Sequence, residues 1–114
     1  MNTKLNSKET LREIMSLAWA MVKRNGYSIS EALATAWRNI KLRIAMKSRI
    51  VKFYFQKVDG TIREAFGTLA ERLIPATSGE DNRRKNDTVQ VYFDTEKAEW
   101  RCFKKANLIS IAYP

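Results

Sequence analysis

The stretch Val51–Leu69, VKFYFQKVDGTIREAFGTL, decides the fold, because here the spacing of apolar residues changes from helical to alternating. Val51, Phe53 and Phe55 share one face of a strand, and Lys52, Tyr54 and Gln56 share the other. Asp59-Gly60 reads as a two-residue hairpin turn, since both central positions of such a turn take positive φ. Pairing across it sets Phe53 opposite Phe66 and Phe55 opposite Glu64. The second pair opposes a carboxylate to a core aromatic, which a β-bulge would relieve.

Downstream, VQVYFD (89–94) and EWRCFK (99–104) read as a second hairpin closed by the four-residue loop Thr95–Ala98. This register sets Phe93 opposite Trp100 and Val91 opposite Cys102 on an expected core face. Tyr92 and Arg101 then share the outer face with Gln90 and Phe103. LISIAY (108–113) supplies a fifth strand, and the polar run SGEDNRRKNDT (78–88) reads as a flexible loop. Five short strands with hairpin connections in about 60 residues fit a small curled antiparallel barrel.

Upstream, two helices are marked at their ends. Asn6 with Glu9, and Ser28 with Glu31, have the form of capping boxes. Leu11, Ile14, Met15, Ala18 and Val22 form the apolar stripe of the first helix. Ile29, Ala32, Leu33, Ala36, Trp37, Ile40 and Ile44 form that of the second. Lys23 and Arg24 precede Gly26, a residue suited to a left-handed helix end. The short Asn25–Tyr27 connection makes an αα-hairpin. Trp19 and Trp37, on or beside these stripes, are expected to fasten the hairpin or dock it on the barrel. The fold class is α+β: a helical hairpin over residues 1–48, then an SH3/Sm-like antiparallel β-barrel over 49–114.

The order VKFYFQKVDGTIREAFGTL, LIP, VYFDTEKAEWRCFKKANLISI resembles the small Sm-like SH3-barrel family related to the WYL domain, found in bacteria and their phages. The marks are Asp-Gly-Thr after the first strand, Gly-Thr-Leu after the second and Trp-Arg-x-Phe in a late one. The segment LREIMSLAWAMVKRNGYSISEALATAWRNIK resembles a helical module that precedes different domains in phage and mobile-element proteins. The resemblance implies a binding or regulatory role. Full-length WYL proteins sense ligands or nucleic acid with the barrel and carry a winged helix where this chain has its hairpin.

Composition bounds the chemistry. The chain has 114 residues, 45% hydrophobic and 29% charged, which suits one folded domain. With one cysteine and no histidine, neither a disulfide framework nor a Cys/His metal site can be assembled, and no metal or other cofactor is expected. No Ser-His-Asp arrangement, glycine-rich phosphate loop or repeated carboxylate spacing is present, so no enzymatic activity is expected. No apolar run approaches the roughly 18 residues of a membrane span, and the start is not that of a signal segment, so the expected location is cytoplasmic.

The net charge of +9 is uneven. Residues 1–58 hold 12 Lys and Arg against 3 acids, and residues 59–114 hold 9 of each. No acid falls between Glu31 and Asp59. A solvated basic face is the plain explanation, but an ordinary solvated face mixes signs. The acid-free segment points to a polyanionic partner, with Arg38, Lys41, Arg43, Lys47, Arg49 and Lys52 as candidate phosphate contacts, Arg38, Lys41 and Lys52 foremost. A helix-turn-helix through Gly26 would need a supporting third helix. Arg101 beside Tyr92 and Phe103 forms a candidate ligand site, because arginine near exposed aromatics holds nucleotide bases and planar anions. A structural cross-strand pair is the competing reading. The expected partner is nucleic acid, with a bacterial host protein as the alternative.

Overall fold

A computed structural model of the chain describes residues 8–75 and 87–112. Asn6 of the first capping box and most of the polar 78–88 run lie outside them. Helix α1 spans Lys8–Asn25 and α2 spans Ile29–Met46. The Ser28 hydroxyl accepts from the Glu31 amide while the Glu31 carboxylate accepts from the Ser28 amide, so the second capping box forms as read. Gly26 has φ +71, a conformation glycine adopts without steric cost. Ile14, Ala18 and Met21 of α1 pack on Ala32, Ala36 and Ile40 of α2. Leu11 and Met15 were expected in this seam, but the crossing turns them outward, and Trp19, expected to be a fastening contact, is half exposed.

Five strands follow: β1 Val51–Gln56, β2 Ile62–Thr68, β3 Val89–Asp94, β4 Glu99–Lys104 and β5 Leu108–Ala112. They form one antiparallel sheet in the order β4-β3-β2-β1-β5. The sheet curls enough for Phe103 of β4 to stack on Phe55 of β1 at 5.1 Å, although two strands lie between them in that order. Phe53, Phe55, Tyr92, Phe103, Ala65 and Leu108 fill the barrel. Leu42 and Met46 of α2 close one end, so the helix belongs to both cores. Asn39 ties the same helix to the Lys105 carbonyl at 2.8 Å.

The β1–β2 turn differs from the two-residue reading. The Lys57 amide donates to the Thr61 carbonyl at 2.7 Å and the Gly60 amide to the Lys57 carbonyl at 2.9 Å. Gly60 has φ +92, so the loop is the three-residue kind in which a left-handed glycine follows a tight turn. One extra loop residue moves the register by one. Phe55 lies opposite Arg63 and Phe53 opposite Ala65, which turns Glu64 and Phe66 outward and removes the discordant pair.

The β3–β4 register is as read, with Phe93 opposite Trp100, Val91 opposite Cys102 and Tyr92 opposite Arg101, but the faces are reversed. Tyr92 and Phe103 are in the barrel core and Cys102 is exposed. Gly67 explains the reversal, since a Cβ there would meet the Tyr92 ring at 2.6 Å. The glycine is a socket for that ring, and any side chain would expel it. Thr68 beside it donates toward the Met46 and Arg49 carbonyls at 3.1 and 3.0 Å, and the Leu69 amide donates to Met46 at 2.8 Å. The Gly-Thr-Leu sequence thereby satisfies carbonyls that the end of α2 leaves unpaired.

Candidate functional site: an aromatic cleft with two arginines

The tip of the β1–β2 hairpin, β4 and Asn107 enclose an open cleft of about 850 Å³. The buried rings of Phe55, Tyr92 and Phe103 form its floor, and partly exposed Trp100 stands at its border. Arg63, Arg101, Lys57 and Lys104 bring positive charge. The charge has a specific origin. Asp94, 1% exposed at the end of β3, accepts from the Glu96 and Lys97 amides at 3.0 Å each through Oδ1. Its Oδ2 accepts from Arg63 at 3.2 Å and lies 3.9 Å from Arg101. One buried carboxylate thus holds two guanidiniums together. Arg101 also makes two bonds to Glu99, at 3.0 and 2.6 Å.

Two buried polar atoms here lack a hydrogen-bond partner: the Tyr92 hydroxyl and Arg63 Nε. A buried polar group without a partner costs about 1–3 kcal/mol. Burial, with the Asp94 carboxylate adding to it, pushes the Tyr92 phenol up to about 12. It remains a neutral donor at physiological pH.

All three residues of the expected ligand site, Tyr92, Arg101 and Phe103, line this cleft. They do so from the inner side of the barrel rather than from an outer face. Arg63, absent from that expectation, joins them because the register shift in β2 turns it inward. Its signal was the discordant Phe55–Glu64 pair, which a longer turn resolves.

The six candidate phosphate contacts do not form one free surface. Arg43 grips Glu13 of α1 with both terminal nitrogens, one at 2.7 Å. That pair holds the Glu13 carboxyl below the usual carboxylate range and raises the Arg43 guanidinium. Arg38 donates to the Leu108 carbonyl at 3.2 Å. Lys52 pairs with Glu64 at 3.4 Å and stands 5.9 Å over both Tyr54 and Phe66; bonds to Tyr54 and Glu64 raise its pKa. Lys41, Lys47 and Arg49 are exposed. The last two sit at the end of α2, close to the start of β1, whereas the cleft lies at the other end of that strand. Six strand residues separate the two places by about 17–20 Å.

Among the described residues no group of three or more His, Cys, Asp or Glu could hold a metal ion, and no helix is long and apolar enough to cross a membrane.

Residues 39–109 match a family model described as WYL_2, Sm-like SH3 beta-barrel fold. The match begins inside α2 and includes the whole cleft. No curated protein and no solved structure matches the chain.

Proposed function

The chain belongs to the WYL_2 family of Sm-like SH3 β-barrels, and we propose that it is a non-enzymatic binding and regulatory module, of the kind carried by phages and mobile elements, that takes a nucleotide unit of single-stranded nucleic acid in the barrel cleft. The observation that carries this reading is the Tyr92 hydroxyl, buried without a partner in a cleft lined by two arginines and aromatic rings. A base stacks on the partly exposed Trp100 at the border of the cleft, stacking being worth about 1–3 kcal/mol per base. Guanidiniums held by Asp94 meet a phosphate, and Tyr92 donates to an acceptor oxygen or nitrogen. The pairing of the acids in and beside the cleft supports binding rather than catalysis. Both oxygens of Asp94 accept hydrogen bonds, Glu99 is paired with Arg101, and Asp59 accepts from Thr61 and lies beside Lys57.

Exposed Lys41, Lys47 and Arg49 extend the same reading to phosphates farther along a strand. Labelled oligonucleotides of single base type test it by anisotropy across a salt series. Lys41, Lys47 and Arg49 changed together to Gln should lower the slope of log K against log salt by about 2, at roughly 0.7 per lost contact on single strands, equally for every base. Arg101→Ala should change the ranking of the bases. A wild type that binds no oligonucleotide near physiological salt refutes the proposal. The second reading, a protein-interaction module, draws on a different surface.

A further inference from the structure

The helical hairpin carries an apolar face that the fold leaves uncovered. Leu11, Met15 and Trp19 of α1 keep 42%, 43% and 50% of their surface, and Ile29 of α2 keeps 44%. With half-buried Leu33 and Trp37 they continue across the seam between the helices. At about 100° per residue, Leu11, Met15, Trp19 and Val22 fall in one sector of α1, and Ile29, Leu33, Trp37 and Ile44 in the matching sector of α2. Leu17 and Met21 of α1 and Leu42 and Met46 of α2, which meet the barrel side, fall outside these sectors. Leu11, Met15 and Trp19 therefore point away from the barrel and its cleft, while Trp37 at the other edge of the face borders Ile109 and Ile111 of β5.

The charges beside it are of one sign. Arg12 and Lys23 flank the stripe on α1, Lys8 falls within its sector at the start of the helix, and Lys41 flanks it on α2, all exposed. The acids of these helices, Glu9, Glu13 and Glu31, project elsewhere, at least about 80° beyond the stripes. A second copy laid on this face would set lysine and arginine against lysine and arginine. An apolar seam between two antiparallel helices has the shape of a shallow groove, which receives a rod better than it does a flat surface. We infer that this face docks an amphipathic helix of another protein, one with apolar residues at i, i+3, i+4 and i+7 and with Asp or Glu beside them. Trp19 and Met15 would make the central contacts, since large apolar side chains at the middle of an interface dominate its energy.

A test uses the full chain and a designed helical peptide of about 14 residues, with leucines at that spacing and glutamates on their flanks. The expected result is saturable binding by anisotropy, at least about tenfold weaker for the same peptide with lysine flanks and for the Trp19→Ala protein. Trp19 is half exposed, so that variant should keep its circular dichroism and its oligonucleotide affinity. No binding of the acidic peptide overturns the inference, as does equal binding of the lysine peptide or an unchanged Trp19→Ala protein. Binding to anionic vesicles in place of the peptide would assign the face to a membrane. A wild-type dimer that Trp19→Ala dissolves would assign it to a second copy.

Discussion

Tyr92→Phe should make the protein more stable and a poorer binder. The variant keeps the ring in its Gly67 socket, with its edge contact to Phe53 at 5.1 Å, and removes only the hydroxyl. In the native state that hydroxyl has no partner, so its removal recovers a desolvation cost of about 1–3 kcal/mol. Against this stands the small void one oxygen leaves, with a cost below about 1 kcal/mol. The net expectation is a gain of about 0.5–2 kcal/mol. With a urea slope of about 1–3 kcal/mol per molar for a small domain, the midpoint should rise by a few tenths to about 1 M. In the bound state the same hydroxyl donates to ligand, so nucleotide affinity should fall by about 5–30-fold. The phenol offers a further check. Held at about 12 when folded, against its ordinary 10, it gives up its proton more easily in the unfolded chain. Stability present below pH 10 is lost as pH rises toward 12, and Tyr92→Phe should remove that alkaline loss. A lowered urea midpoint in the variant would refute the reasoning, because the hydroxyl would then be bonded in the native protein.

Thr68→Val keeps the shape but loses the hydroxyl that bridges β2 to the Met46 and Arg49 carbonyls, and should cost about 1–3 kcal/mol by urea unfolding. Cys102, exposed on the outer face of β4, should react promptly with a water-soluble thiol reagent without denaturant, and Cys102→Ser should change stability by less than about 0.5 kcal/mol. Glu13, whose carboxyl Arg43 holds below 4.5, stabilises the fold above that pH and stops doing so as pH falls through its lowered folded value. The melting temperature of Glu13→Gln should therefore lie below wild type at pH 7 and converge with it in acid.

Much of this was legible in the chain, and the two misreadings share a cause. Helix ends were readable because Ser28, Glu31 and Gly26 act locally, through bonds and backbone angles within a few residues. The pairing of β3 with β4 was readable because loop length alone sets it. Which side of that hairpin faces inward is a different matter. Gln90, Val91, Tyr92, Phe93 and Asp94 carry apolar residues on both faces, so alternation gives no answer, and both Tyr92 and Phe93 end up buried. The answer lies on another strand. Gly67 pairs with Asp94, so it shares a face with Tyr92 and Gln90, and a glycine inside a strand calls for a large ring from its neighbour.

The same non-local coupling built the cleft. Arg63 reaches Asp94 only because the Gly60 turn has three residues, and Arg101 and Tyr92 face inward only because Gly67 receives a ring. Had the turn held two residues, Glu64 would stand where Arg63 does, and a second carboxylate would oppose Asp94 beneath the aromatic floor. Two like charges in such a place repel, and one would take up a proton to stay buried. The cleft would then lose one guanidinium and gain an acid, and with them its fit to a phosphate. The register set at this turn therefore decides the sign of the site, and Arg63→Glu, which puts a carboxylate in that place without touching the turn, should abolish nucleotide binding through charge even where the barrel still folds.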